Sequence, residues 1–209
     1  MSKNEIRATS VGVDYGARVV LDDVTLVVSS GQMMVITGAS GSGKTTLAHT
    51  LAGIITPDRG EIVLDGKPLA QGALSTRLAL VTQDFGLLSV LTATESVSLP
   101  LQVRGLTKDE IRDRTARTLT AVGLQSCVAR TVAELSGGQR QRVAIARALA
   151  MDADVIIMDE PTAELDSANR ALVLSLLTAE LDRGASLVVV SHETDVIVRA
   201  DFVYELATP

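Results

Sequence analysis

Residues 38–45 read Gly-Ala-Ser-Gly-Ser-Gly-Lys-Thr, a full match to G-x-x-x-x-G-K-[ST], set between an apolar run at 33–37 and a helical pattern beginning at Lys44. The strand–loop–helix setting is what gives such a pattern meaning. Gly38, Gly41 and Gly43 open backbone angles closed to other residues, so successive amides can turn inward around phosphate oxygens. Ala39, Ser40 and Ser42 supply further amides of the same loop, and Thr46 follows in the first helical turn. The helix adds its positive dipole end. Lys44 places a charge on the β- and γ-phosphates, and the Thr45 hydroxyl can ligate Mg²⁺. The loop therefore predicts binding of a nucleotide such as ATP. By itself it fits kinases, GTPases and many ATPases equally well, so it indicates the ligand and not the task.

Hydrophobic patterning around the loop predicts an α/β fold with a mainly parallel sheet. Residues 155–158 and 187–190 are short all-apolar runs of the kind buried on both faces, separated by a helical pattern over 167–183. Segments 6–13 and 19–28, joined by a turn at 15–17, read as an antiparallel β subdomain, followed by a strand at 61–64. The stretch after residue 66 is irregular up to Thr107. There Thr107 and Glu110 have capping-box form, and Ile111, Thr115, Leu119 and Val122 share one helical face. A further helix is expected from Ser136 through 151, a last one over 194–200, and a closing strand over 202–206. We find no linker, repeat or low-complexity tract. The expectation is one domain over 1–209, with a core of roughly 1–88 and 152–209 and an inserted helical subdomain of 89–151.

Charge narrows the partners. Lys and Arg total 19 against 25 Asp and Glu, a formal charge of −6, which argues against nucleic acid as a general partner. Aromatics make up 2% with no Trp, so base-stacking platforms are scarce. One cysteine, Cys127, excludes an internal disulfide and suits a reducing compartment. No window approaches the roughly 20 apolar residues needed to cross a bilayer, and the polar start is unlike a signal peptide. The chain is expected not to span a membrane by itself, and to end at 207–209 without a regulatory tail.

Two further segments carry chemistry. The buried strand at 155–158 ends in Asp159-Glu160, at the sheet edge where α/β proteins bind ligands. Asp159 is placed to hold Mg²⁺ and Glu160 to act as general base, although two solvated acids would also fit that position. Leu135-Ser136-Gly137-Gly138-Gln139 opens a helix, and a capping box alone would explain Ser136 and Gln139. Adjacent glycines there also free amides for close approach of an anion.

This second segment resembles the signature of ATP-binding cassette ATPases, and the whole chain carries the motifs in that family's order. The resemblance implies that Ser136, Gly137, Gly138 and Gln139 of one subunit press on the γ-phosphate held by the other. Two ATP molecules would then be sandwiched in a head-to-tail dimer, and a lone subunit would be a poor ATPase. It also implies that Gln83 senses Mg²⁺ and the attacking water, that Tyr15 stacks on adenine, that His192 contacts the γ-phosphate, and that Asp166 belongs to the loop coupling the two sites. Unaided, Tyr15 reads as surface packing and His192 as a strand-end histidine. The middle segment, Phe85 to Leu88, Leu91 to Ala93, Glu95 to Val97, Leu99 to Leu101 and Arg104-Gly105, resembles the branch with lipoprotein-releasing, macrolide-exporting and cell-division members. Ala163-Glu164-Leu165-Asp166 departs from the usual Ser-Ala-Leu-Asp, which bears on coupling more than on binding, and Val132 replaces a common proline.

The implied function is the ATP-hydrolysing subunit of a transporter, driving a separate transmembrane permease from the cytoplasmic face of a bacterial cell membrane. A soluble cassette acting on ribosomes or DNA is the alternative. Those families carry two cassettes or a long coiled coil, and this acidic chain has neither. A binding-only cassette is disfavoured because Glu160 and His192 are both present.

Overall fold

The computed structural model describes residues 4–69 and 77–208. The polar start read at residues 1–3, and Pro209, lie outside that range. Backbone packing divides the chain into two compact units: Met1–Leu80 with Asp154–Glu160 and Glu180–Pro209, and Val81–Ala153 with Pro161–Ala179.

The first unit holds the sheets. Strands β1 (Ile6–Tyr15) and β2 (Arg18–Val28) form an antiparallel hairpin, and β4 (Arg59–Leu64) and β5 (Lys67–Pro68) extend it in the order β2-β1-β4-β5. Ile6 and Ala8 face inward with Arg7 and Thr9 exposed, the alternation of a sheet covered on one side. The register slips between Ala8 and Val11, where Ser10 takes a φ of 48°. That irregularity returns Val11 and Val13 to the core side.

The second sheet runs β6 (Leu78–Val81), β7 (Val155–Asp159), β8 (Ser186–Val190), β3 (Met33–Thr37), β9 (Phe202–Glu205). Pairings β7–β8, β8–β3 and β3–β9 are parallel. Every residue of β7 and β8 is buried, which accounts for their unbroken apolar runs. Helix α1 (Lys44–Leu51) packs against β2 as well as against β7 and β8, so its Leu47, Ala48 and Leu51 join one core with both sheets.

Helices make up most of the second unit: α2 (Ala93–Val103), α3 (Lys108–Ala121), α4 (Gly137–Ala150) and most of α5 (Ser167–Asp182), with α2, α3 and α4 in mutual contact. The expected boxes at Thr107 and Ser136 both form, and two more occur at Thr92/Glu95 and Thr131/Glu134.

The structure differs from the sequence expectation in the middle stretch and at the last helix. The stretch read as irregular contains β5, β6 and α2. Pro100 interrupts α2 as a helix pattern, yet Ala93, Val97 and Leu101 stack at four-residue spacing, each fully buried, and tertiary packing overrides the proline. The last helix, α6, covers only Thr194–Ile197. Beyond it the amides of Arg199 and Ala200 bond three residues back, and Asp201 N–H donates to Met33 O, which docks β9 beside β3. Among the described residues no helix is long and apolar enough to cross a membrane.

Candidate nucleotide and signature sites

In the first unit the C-terminal ends of β3, β7 and β8 converge on one edge. The loop at 38–43 leaves β3 and enters α1 through Gly43, whose φ of 97° is left-handed. A side chain there would meet Val20 O of β2 at 2.8 Å, and one on Gly38 (φ 146°) would meet Leu206 O at 2.6 Å. Both glycines are thus required twice over, by conformation and by crowding. Ser42 N–H closes a turn on Ala39 O at 3.2 Å, and Ala39, Ser40 and Gly41 remain exposed at the loop's outer face. Lys44 lies back across the loop, with Nζ donating to Gly38 O at 2.9 Å and Ala39 O at 2.7 Å. Thr46 follows half-buried in the first turn of α1, where its carbonyl accepts from Thr50 Oγ1 at 2.7 Å.

Asp159, at the end of β7 and 3% exposed, accepts from Thr45 Oγ1 at 2.6 Å. The two residues that the sequence suggests for one cation therefore meet across a gap of 114 residues. Glu160 follows with a φ of 50°, unusual for a non-glycine residue, and its N–H donates to Val190 O at 2.9 Å. This left-handed step turns the side chain off the strand direction, and Oε1 lies 2.8 Å from His192 Nδ1. His192 itself comes from the end of β8, its side chain 80% exposed against 15% for Glu160.

The hydrogen bond to Glu160, then its charge, raises the His192 pKa above its ordinary 6.5, with Glu193 assisting and Lys44 opposing. A raised folded-state value means that the pairing stabilises the protein fully below the unfolded-state pKa and ceases to do so as pH rises through the folded one. The expected result in an NMR pH titration is a His192 midpoint above 6.5, falling back toward 6.5 in Glu160→Gln. Equal midpoints in the two proteins would remove Glu160 as the cause.

Tyr15 ends β1, paired with Arg18 across the hairpin turn, and is 55% exposed. It presents an exposed aromatic face on the strand pair whose β2 borders Gly43.

The second unit carries the remaining residues. Ser136 caps α4: its Oγ accepts from Gln139 N–H at 3.3 Å, while Gln139 Oε1 accepts from Ser136 N–H at 3.0 Å. Gly137 and Gly138 form the first turn between them. The Gln139 amide also reaches the buried Cys127 Sγ at 3.6 Å. Asp166 is occupied at the start of α5, accepting from Asn169 N–H and Nδ2–H, both at 2.8 Å, and these bonds hold its carboxyl below the usual range. Gln83 is exposed in the turn after β6.

Two residues escaped the sequence reading. Arg147, deep in α4, donates to Phe85 O at 2.8 Å and Gly86 O at 2.5 Å, fastening the Gln83 turn to the signature helix. Burial lowers its pKa. Gln141, 1% exposed, accepts Glu164 N–H at 3.0 Å. Neither has a local signal, because both partners lie more than twenty residues away; a polar side chain on the buried face of a helix was the only hint.

Comparison with known proteins bears on these sites. The family described as ABC transporter matches residues 21–163. The chain is 39% identical over 192 residues to the methionine import ATP-binding protein MetN of Caulobacter vibrioides, covering 88% of this chain and 58% of that protein. It is 41% identical over 179 residues to the taurine import ATP-binding protein TauB of Pseudomonas aeruginosa, covering 85% and 67%. It thus spans between 58% and 67% of the length of these curated relatives. Among solved structures, it resembles the dimeric post-hydrolysis state of the ATP-binding cassette MJ0796 bound to ADP and Pi. The TM-score is 0.90 at 31% identity, over 97% of this chain and 94% of that one. A second dimeric structure of MJ0796, described as a bacterial ABC transporter cassette, gives 0.90 at 32% over 96% and 94%. Because the matched span runs from β2 through the phosphate loop and the signature to the end of the acidic strand, this chain belongs to the ABC transporter family, with the fold of its ATP-binding subunit.

Proposed function

We propose that the chain binds and hydrolyses ATP as one half of a head-to-tail pair and so drives a separate membrane permease from the cytoplasmic side. The observation that carries this reading is the convergence of phosphate loop, Asp159, Glu160 and His192 on one sheet edge, with Thr45 to Asp159 at 2.6 Å and Glu160 to His192 at 2.8 Å. Glu160 would accept the proton of the attacking water, held in place by His192 and by the Val190 bond. Lys44 would turn from the loop carbonyls to the β- and γ-phosphates, and Tyr15 would lie on the adenine. Gly38 to Gly43 would cradle the phosphates through their amides. Ser136, Gly137, Gly138 and Gln139 of a second copy would close over the γ-phosphate, with Asp166 in the adjoining loop. The dimeric MJ0796 structures support that pairing.

An oxygen-only pair, the Thr45 hydroxyl against the buried Asp159 carboxylate, suits a hard cation, so these residues fit Mg²⁺, with Gln83 as the third oxygen the family resemblance implies. Bound there, the ion would neutralise developing charge on the phosphates.

Two readings of the permease's task stand side by side. The segment from Phe85 to Gly105 supports the mechanotransmission branch, and the names of the methionine and taurine import relatives support an importer. Stimulation of hydrolysis by a solute-loaded binding protein would favour import.

The pair itself is tested by Mg-ATP hydrolysis against chain concentration. Below the dimerisation constant the rate per chain should rise in proportion to concentration. A rate per chain that stays constant over a hundredfold dilution, with the chain monomeric by light scattering, would overturn the shared site.

A further inference from the structure

Family pattern and chain part company at 163–164, where Ala163-Glu164 stands in place of the usual Ser-Ala. This segment lies along the first turn of α4. Buried Gln141 takes the Glu164 N–H at 3.0 Å and Leu165 is 6% exposed beside it, so the backbone at 164 is fastened to the helix. The approach is close. A Cβ on Gly138 would lie 2.8 Å from Glu164 O, and one on Gly137 would collide with Glu164 Oε2. The signature glycines are therefore needed here to admit the 163–164 segment, as well as for any phosphate.

The Glu164 carboxylate consequently rests on the Gly137 backbone at the positive end of α4, where Ser136 and Gln139 have already satisfied each other's amides. Its side chain is exposed, so the charge costs no burial. The Arg140 guanidinium is a nearby cation, with Nη2 4.0 Å from the position of a Gly137 Cβ, and Arg142 Nε donates to Gly138 O at 3.3 Å on the same turn.

We infer that the Glu164 carboxylate is an electrostatic gate on the signature, raising the ATP concentration at which two copies close. This rests on the sandwich reading above. A γ-phosphate delivered by a second copy meets a negative charge already seated on Gly137. It must displace that charge or close against its repulsion. At a separation of about 4 Å such repulsion amounts to roughly a fivefold penalty with water-like screening, and more as closure expels water. An alanine in this place would leave the helix end and Arg140 free to attract the phosphate.

Glu164→Gln keeps the shape against Gly137 and removes the charge. The experiment uses Glu160→Gln as background, to hold ATP uncleaved, and measures by light scattering the ATP concentration that half-dimerises the chain at 50 and 500 mM salt. The added Glu164→Gln should lower that concentration roughly fivefold to tenfold at low salt, with Glu164→Asp close to the parent. The shift should shrink severalfold at high salt, where the Debye length falls below about 5 Å. Equal midpoints, a midpoint moved upward, or a shift indifferent to salt would each overturn the gate while leaving the sandwich intact. Failure of both proteins to dimerise at any ATP concentration would overturn the sandwich and the gate together.

Discussion

A Glu160→Gln chain should hydrolyse Mg-ATP at least about a hundredfold more slowly than the native chain, while gaining a stable dimer when ATP is added. The carboxylate and the amide have the same shape, so the left-handed backbone at residue 160 and its N–H bond to Val190 O at 2.9 Å are kept. The amide can still bond to His192, which holds the side chain where the carboxylate was. What it cannot do is accept the proton of water, and positioned general bases contribute about 10²–10⁴-fold. Nucleotide affinity should change little, since no phosphate contact is removed. Phosphate release and dimer mass, measured side by side, check this. Native-rate hydrolysis by the variant would show that Glu160 is not the base. Loss of both activity and ATP-driven association would point instead to damage at the sheet edge.

Lys44→Ala should weaken Mg-ATP binding by at least about tenfold and lower hydrolysis by about 10²–10³-fold. Charge-assisted hydrogen bonds to phosphate contribute about 1.5–3 kcal/mol, and in the proposed site one ammonium would serve two phosphates. Folding should be nearly untouched. The two bonds lost in the free chain, to Gly38 O and Ala39 O, lie on a loop whose carbonyls can turn to water. Calorimetric titration with Mg-ATP, paired with thermal unfolding of the same samples, separates these effects. A variant that binds ATP like the native chain would remove Lys44 from the phosphate site. Lys44→Arg should recover part of the affinity but not the turnover, because a planar fork replaces a compact charge.

Much of the molecule was legible in one dimension. Local patterns carried it: unbroken apolar runs for β7 and β8, capping boxes at Thr107 and Ser136, and the glycine spacing of 38–43. Each depends on residues within a few positions of one another, so spacing alone reports them. Helix α2 was illegible because Pro100 speaks locally for a break, whereas burial of Ala93, Val97 and Leu101 against other helices decides the matter. The same holds for the short β6, whose four residues give no period to read.

At the sites the division is sharper. Sequence by itself determined the ligand class, through a loop whose amides, lysine and threonine are contiguous, and it named Asp159 and Glu160 as candidates, while His192 and the signature came from the family resemblance. Tertiary structure alone decided which of them meet. Thr45 reaches Asp159 because α1 packs against β7, and Glu160 reaches His192 because β7 and β8 are neighbours in a parallel sheet, an ordering that no local pattern encodes. Arg147 beneath the Gln83 turn and Glu164 on Gly137 are likewise products of packing between distant segments. Chemistry that sits within one turn of chain can be read from its letters, while chemistry assembled across strands waits on the free energy of the whole fold.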